Sequence, residues 1–330
     1  MSVVIEHGAR RAVRPDWKTT GWQGLTLQTP SAWNLVAFSG ERATGSLRMD
    51  NGELHGQAVG VEVRWSQIKG RITDKDLEKR LERYFAGVRK SLRRQKVEVD
   101  AKSRAVTDER HPERDLSRTF SWRADRRATG RVWHCTECGR LVIAQVIGAG
   151  GVITPAAPDV LRSLECHPAA PNWQTWSLYD LLTEVPTDYA LRGKPQLLNI
   201  YVQLLFGRGQ STDTLAVEQW GVANVQLRGA YLDEWFRQKN AAQEPVLRYQ
   251  SEETDAHGHA ALRLTGRRQG LSYWLRDALP QCLRLQKPAT HYAACLWECP
   301  DSNKIYLVQC FSRRPMTETV RQIVERTPCH

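Results

Sequence analysis

Long apolar runs are missing from this sequence. A helix that crosses a bilayer needs ~20 consecutive apolar residues, and no window of the chain approaches that number. The opening residues, MSVVIEHGARRAVRPDW, also lack the apolar segment of a secretory signal peptide. We therefore expect a cytoplasmic protein with no membrane insertion.

Signatures of common enzyme classes are missing as well. The chain has no Gly-x-Ser-x-Gly elbow, no Walker loop and no paired-carboxylate motif. Its glycine-rich segment GAGG is followed by Pro155 and Pro158, where the helix of a dinucleotide-binding loop would have to begin. The sequence therefore favours a non-catalytic protein over an enzyme.

Positive charge is unevenly distributed along the chain. Its 330 residues, enough for two domains, carry a formal net charge of +11. Residues 1–165 hold 29 Lys and Arg against 20 Asp and Glu, whereas residues 166–330 hold 18 against 16. An acidic protein or a nucleic acid is therefore a candidate partner of the first half.

The chain reads as two copies of one unit. The stretch WHCTECGRLVIAQV matches WECPDSNKIYLVQC without a gap, so that Trp133 falls on Trp297 and Cys135 on Cys299. Three further pairs of blocks match: LTLQTPSAWNL with LLTEVPTDYAL, VEVRW with AVEQW, and LERYF with LDEWF. All four pairs occur in the same order along the chain, and insertions in loops explain why the offset between the two copies varies slightly.

Each unit is predicted to be α+β. Alternating stretches such as VGVEVRW predict half-buried strands, and apolar residues from Leu77 to Leu92 then recur every three or four positions, as in a helix. Thr73 is the predicted N-cap, and the helix of the second unit is predicted at 222–239. The order strands, helix, strands indicates two similar units, each an antiparallel sheet with a long amphipathic helix packed on one face.

The domain boundaries follow from composition. The first, basic unit is predicted at 1–150, and the Gly-, Pro- and Ala-rich stretch GAGGVITPAAP opens a linker at 151–172. The second unit is predicted at 173–330, with an insertion near 270–290 and a closing helix near 316–325.

This arrangement resembles the Mog1/PsbP-like group of domains. The features that carry the resemblance are the Leu-x-x-x-Pro-x-x-Trp/Tyr strand start, the strands that end in Trp65 and Trp220, and the central helix. Each of the two units resembles one such domain, and together they account for nearly the whole chain. The resemblance implies a binding or assembly module, since members of the group serve a small GTPase in one branch and a photosystem in another, and it implies no catalytic residues.

The segment CTECG is the main candidate for a metal site, because thiolates at this spacing converge on one zinc ion across a tight turn. No second Cys-x-x-Cys is present, and the second copy has Ser302 in place of Cys138. The sequence therefore favours a plain hairpin turn with Gly139 at positive φ, without a cofactor, and zinc is the alternative. The candidate zinc ligands are Cys135, Cys138, Cys166 and His167, with His134 as a further candidate.

Two other groups of metal-binding residue types carry less weight. Cys295 and Cys299 would lie ~13 Å apart along a strand, too far to share a metal. Asp255, His257 and His259 alternate and would share one face of a strand, where an acid–base or metal cluster competes with an ordinary solvated edge strand.

The first helix carries a basic cluster with interleaved glutamates. Its cations would contact phosphates or an acidic protein surface, and the alternative is a solvated outer face stabilised by i,i+4 ion pairs. The cluster consists of Lys79, Arg80, Arg83, Arg89, Lys90, Arg93 and Arg94.

These observations predict a non-catalytic protein-interaction or scaffold protein with a protein partner. Two alternatives remain open. One is a nucleic-acid-binding protein that acts through the basic helix, and the other is a metalloprotein that uses the Cys135/Cys138 turn.

Overall fold

The computed structural model describes residues 16–53, 58–93, 98–109, 111–114, 116–168, 170, 172–241 and 246–330. The chain is a mixed α+β protein with antiparallel sheets, and it divides into two compact units, 1–170 and 171–330. Within the described residues, none of the helices has both the length and the apolar character that crossing a bilayer requires.

The first unit contains a seven-stranded antiparallel sheet and a separate two-stranded hairpin. The hairpin pairs β1 with β2, and the order in the sheet is β3-β4-β5-β9-β8-β7-β6. The strands are β1 (Trp17–Trp22), β2 (Leu25–Pro30), β3 (Asn34–Gly40), β4 (Thr44–Asp50), β5 (Gly60–Gln67), β6 (Asp100–Ala105), β7 (Leu116–Arg123), β8 (Arg127–His134) and β9 (Arg140–Gly148). The helices are α1 (Asp74–Arg93) and α2 (Ala157–Ser163).

Helix α1 covers one face of this sheet. Its buried stripe of Leu77, Leu81 and Phe85 packs against residues of β7, β8 and β9, among them Val132. The predicted N-cap is confirmed, because the Thr73 hydroxyl accepts a hydrogen bond from the Asp76 amide while the Asp76 carboxylate accepts one from the Thr73 amide. Because side chains alternate along a strand, Trp133 next to Val132 faces the opposite side of the sheet, where α2 contacts β8 and β9.

The segment predicted as a linker carries helix α2, and the residues after this helix bond to the first unit. Backbone hydrogen bonds join Glu165 and Thr26 in both directions, at 3.0 and 2.8 Å. The buried Arg114 donates to the Leu164 carbonyl at 2.9 Å and to the Glu165 carboxylate at 2.8 Å. These bonds fix the position of the two residues that follow, Cys166 and His167.

The second unit also contains a hairpin and an antiparallel sheet. The hairpin pairs β10 with β11, and the order in the sheet is β12-β14-β15-β19-β18-β17-β16, with β13 also paired to β14. The strands are β10 (Trp173–Leu178), β11 (Leu181–Pro186), β12 (Tyr189–Leu191), β13 (Gln196–Leu198), β14 (Tyr201–Arg208), β15 (Thr214–Gly221), β16 (Leu247–Ala256), β17 (His259–Arg268), β18 (His291–Cys299) and β19 (Lys304–Ser312). The helices are α3 (Ala223–Leu227), α4 (Leu232–Asn240), α5 (Leu271–Tyr273), α6 (Leu279–Leu283) and α7 (Thr317–Glu325), with a π-helical turn, Trp274–Ala278, between α5 and α6.

The long helix predicted at 222–239 is wrong in one respect, because the structure has two short helices there. Arg228 and Gly229 both have positive φ, 50° and 83°, and a left-handed backbone cannot continue an α-helix. Of these two helices, α4 contributes the fully buried aromatic side chains, Trp235 and Phe236, which join a core with Leu296 of β18 and residues of neighbouring strands. The predicted closing helix is present as α7.

Candidate metal centre

The β8–β9 turn holds Cys135 and Cys138 in a tight geometry. The Cys135 amide donates to the Arg140 carbonyl and the Gly139 amide donates to the Cys135 carbonyl, each at 2.9 Å. Gly139 has the predicted positive φ, 66°. A Cβ at Gly139 would lie 2.5 Å from the side-chain amide nitrogen of Gln67, so that flexible side chain would have to move, and it is the positive φ that favours glycine here. The hairpin turn predicted from the sequence is therefore present.

The end of the α2 segment brings Cys166 and His167 to this turn. The donor atoms of all four predicted ligands lie within 4.8 Å of one another. His167 Nδ1 is 3.6 Å from the sulfurs of both Cys135 and Cys166, and the Cys138 and Cys166 sulfurs are 3.8 Å apart. With Zn–S bonds of about 2.3 Å and Zn–N bonds of about 2.0–2.1 Å, a tetrahedral site has S···N edges of about 3.6 Å and S···S edges of about 3.8 Å. The donor separations therefore fit a tetrahedral zinc ion.

Outer contacts orient these donors. The second ring nitrogen of His167, Nε2, lies 3.0 Å from the Glu137 carboxylate. A carboxylate on the far nitrogen is the usual partner of a metal-binding histidine, since it fixes the tautomer and the ring orientation. The buried Trp133 indole donates to the Cys166 sulfur at 3.5 Å, and this contact helps to fix the position of that sulfur.

Hydrogen bonds within the group shift the pKa values of Cys135, Cys166 and His167 in different directions, so that Cys166 and His167 would have to release protons on binding a metal. Hydrogen bonds with Cys138 and Cys166 lower the pKa of Cys135 far below its ordinary value. The hydrogen bond with Cys135 raises the pKa of Cys166 and, together with Cys138, raises the pKa of His167 to about 10. The cluster thus favours a thiolate at Cys135, and the thiolate is the form of cysteine that binds metals.

Arg140 places a buried positive charge beside the thiols. Its guanidinium donates to the backbone carbonyls of Cys166, Gln23 and Arg42, at 3.0, 2.7 and 2.6 Å. Burial lowers the pKa of Arg140, while the thiolates of the cluster act to raise it. Within the described part of the chain, no carboxylate pairs with this side chain, which is 2% exposed. A zinc ion with three thiolates and one neutral imidazole would carry a net charge of −1, which Arg140 would offset.

The other residues that the sequence suggested as metal ligands lie outside this group of four. His134 lies outside the four-residue group, with its side chain buried. Asp255, His257 and His259 do not form one cluster: Asp255 accepts a hydrogen bond from the Gly258 amide, and His257 Nε2 lies 2.8 Å from the Val324 carbonyl. The His259 ring contacts His330 instead. Cys295 and Cys299 do not share a site, since Cys299 belongs to a group of potential metal ligands and Cys295 does not.

The basic cluster of α1 lies on the outer side of the helix. Lys79, Arg83 and Lys90 are exposed, whereas Arg80 and Arg89 are half-buried. Arg89 lies 3.8 Å from the Glu82 carboxylate, and an exposed pair of this kind contributes little to stability. The side chain of Arg93 and all of Arg94 lie outside the described residues. The described cations form a mixed-charge face with the neighbouring glutamates.

A cavity of about 320 Å³ lies in the second unit between α7 and strands β16–β18. Its lining includes the Cys295 thiol, whose pKa burial raises to about 11, so that it is protonated at neutral pH and a poor nucleophile. The two arginines of the lining are paired with carboxylates, Arg263 with Glu252 and Arg321 with Glu318. The described lining therefore presents no activated nucleophile.

Comparison with known proteins gives little further information. No family model matches the chain, and no curated protein matches it. Among solved structures, the solution structure of cyanobacterial PsbP (CyanoP) from Synechocystis sp. PCC 6803 matches at 12% identity with a TM-score of 0.31, covering 49% of this chain and 95% of that chain. PsbP names one branch of the group that the sequence resembles, and a likeness at this score carries no argument about fold or function.

Proposed function

We propose that this chain is a zinc-binding protein whose first unit is closed by a structural Cys3His centre formed by Cys135, Cys138, Cys166 and His167. One observation carries the proposal. Two segments, whose residues Cys138 and Cys166 are 28 positions apart, bring four donors within 4.8 Å of one another, and three of the donor separations match the edges of a zinc tetrahedron. Zinc is favoured over harder cations because three of the four donors are sulfurs.

The arrangement supports a structural role over a catalytic one. Catalytic zinc sites keep one position for water or substrate, whereas structural sites are filled by four protein ligands. Here four protein donors converge, and both Cys135 and Cys166 are fully buried. The centre would tie the β8–β9 turn to the segment after α2.

Zinc content tests this proposal directly. We expect Cys138→Ser to lose one equivalent of zinc per chain relative to the wild type, measured by elemental analysis after gel filtration under reducing conditions. Cys310→Ser, which changes a buried thiol of β19 outside the cluster, should keep the wild-type zinc content. Equal zinc contents in the wild type and Cys138→Ser would contradict the proposal.

We further propose that the two units are copies of one another and form a non-catalytic scaffold. The common strand order supports duplication, since β5-β9-β8-β7-β6 in the first sheet corresponds to β15-β19-β18-β17-β16 in the second. A repeated polar pair supports it too. Gln145 donates to Glu62 in the first unit, and Gln309 donates to Glu218 in the second. Each pair joins the corresponding two strands, β5 with β9 and β15 with β19, although Glu62 lies directly opposite Gln145 while Glu218 lies two residues along from the residue opposite Gln309.

An exposed apolar segment in the second unit favours a role in binding another protein. Exposed apolar groups that lie together mark interaction surfaces, and here they belong to the insertion that the sequence predicted near 270–290. The exposed fractions of Leu271, Trp274, Leu275, Leu283 and Leu285 are 73%, 50%, 52%, 77% and 96%.

We expect a chain with Leu271, Leu283 and Leu285 changed to serine to lose a partner that the wild type retains in an affinity capture. Nuclease treatment and mass spectrometry identify the partner. A chain with exposed Val36 and Val152 of the first unit changed to serine is the control. Equal capture by all three proteins would contradict this interface. Capture that nuclease abolishes would favour nucleic-acid binding through α1.

A further inference from the structure

A second group of cysteine and histidine donors lies in the second unit. His259 begins β17, Cys299 ends β18, and Cys329 and His330 follow α7. One donor atom of each of these residues lies within 4.8 Å of the other three. Three separate chain segments therefore converge at the β18–β19 turn.

The three donor separations that involve His330 also match the edges of a zinc tetrahedron. His330 Nδ1 lies 3.5 Å from the Cys299 sulfur, 3.3 Å from the Cys329 sulfur and 3.4 Å from His259 Nε2. With the same bond lengths as before, the expected S···N edge is about 3.6 Å and the expected N···N edge is about 3.3 Å. All three observed distances lie within a few tenths of an ångström of these values.

We propose that the second unit holds a second zinc centre, with the ligands His259, Cys299, Cys329 and His330, and that its metal exchanges faster than that of the first centre. The ligand set differs from the first because Ser302 stands in the turn where the first unit has Cys138. A serine hydroxyl is a poor zinc ligand. His259, the first residue of β17, supplies the fourth donor in its place.

The two groups differ in the positively charged side chain beside them, and this difference agrees with the net charges expected of their zinc centres. Two thiolates and two neutral imidazoles make a zinc centre with no net charge, which needs no buried counter-charge. At the position of Arg140 the second unit has Lys304, whose ammonium lies 3.1 Å from the Asp180 carboxylate, a group that is 74% exposed. The buried cation of the first unit is thus replaced by a cation paired at the surface. A neutral Cys2His2 centre allows this change because it has no net charge for a buried cation to offset.

Exposure gives the reason for faster exchange. Cys299 and Cys329 are buried, but the side chain of His330 is 51% exposed. The Asp301 carboxylate, 65% exposed, lies 3.9 Å from both His259 Nε2 and His330 Nδ1. A carboxylate at this distance can carry an incoming or departing cation between solvent and the ligands. The first group has its carboxylate, Glu137, on the far side of the histidine ring instead.

Cobalt(II) binding by the full-length reduced chain tests the second centre. We expect two Co²⁺ ions per wild-type chain, both with the absorption of tetrahedral thiolate sites. His259→Gln should weaken binding of one ion by at least about 100-fold, more than loss of an outer-shell partner causes. Cys299→Ser should have the same effect and remove part of the thiolate-to-cobalt charge-transfer band. His257→Gln, two residues away, should keep both ions.

The outcomes separate the two centres. One Co²⁺ per wild-type chain that Cys138→Ser removes would overturn the second centre and leave the first intact. Two ions that survive both His259→Gln and Cys299→Ser would also overturn it. For zinc release to a chromophoric chelator, we expect two phases in the wild type, of which His259→Gln lacks the faster. Loss of the slower phase in that variant would overturn the assignment of faster exchange.

Discussion

Removal of zinc from the first unit is expected to lower its unfolding temperature by about 8–16 °C. A ligand present at about 1,000 times its dissociation constant stabilises the folded state by about 4 kcal/mol, and in a unit of this size each kcal/mol shifts the midpoint by about 2–4 °C. Calorimetry with and without a chelator measures the shift. Hydrogen exchange should locate the loss of structure in the β8–β9 turn and in residues 157–167.

The Cys138→Ser variant is the control for this measurement. Because it lacks one ligand of the first centre, a chelator should have little further effect on exchange in the first unit. Any shift that the chelator still causes in the variant then belongs to the second unit. An unchanged midpoint and unchanged exchange in the chelated wild type would contradict a structural role for zinc at Cys135.

Local rules predicted the turn and the helix start from the sequence. Gly139 takes the positive φ that a turn of this kind requires, and Thr73 caps α1, because both depend on residues within four positions. The same rules were insufficient for α3 and α4. Arg228 takes positive φ although arginine rarely does, so only Gly229 signalled the break.

The two groups of potential metal ligands could be predicted only in part. The sequence named Cys135, Cys138, Cys166 and His167 as candidates but favoured a plain turn. Spacing along the chain does not show that the packing of α2 brings Cys166 and His167 to that turn. In the second unit the sequence singled out His259 and missed Cys329 and His330. One signal was present: the dipeptide Cys-His occurs at 166–167 and again at 329–330, an offset of 163 that nearly equals the offset of the two hairpins. This repeat of the Cys-His dipeptide was overlooked because the second unit has Ser302 where the first has Cys138, and the serine argued against a metal site there.

Arg140 is the residue whose role the sequence could least predict. It begins a strand, where an arginine is normally exposed, yet its side chain is 2% exposed and holds three backbone carbonyls from separate segments. Two of these segments do not include a proposed ligand. Arg140 therefore joins the group of potential metal ligands to the β1–β2 turn and to the β3–β4 turn. Without Arg140, the carbonyls of Cys166 and Gln23 would lose a donor in a buried position, which is unfavourable.

Arg140→Met is expected to lower the free energy of unfolding of the first unit by about 3–5 kcal/mol, the range seen when one partner of a buried charged network is removed. Methionine fills much of the same volume but leaves the carbonyls of Cys166, Gln23 and Arg42 without their donor. It also removes the positive charge beside three thiolates, so zinc affinity should fall as well. Denaturant titration and competition with a zinc chelator measure the two effects.

Lys304→Met is the matched control, because Lys304 has the equivalent position in the second unit and pairs with an exposed carboxylate. Its change should alter stability by no more than about 1 kcal/mol and leave zinc affinity of the first centre unchanged. Equal effects of the two substitutions would show that Arg140 acts as a surface cation, contrary to its buried position. A large loss of stability in Arg140→Met with unchanged zinc affinity would assign Arg140 to the carbonyl network alone, because compensation of the thiolate charge must change the affinity for the metal.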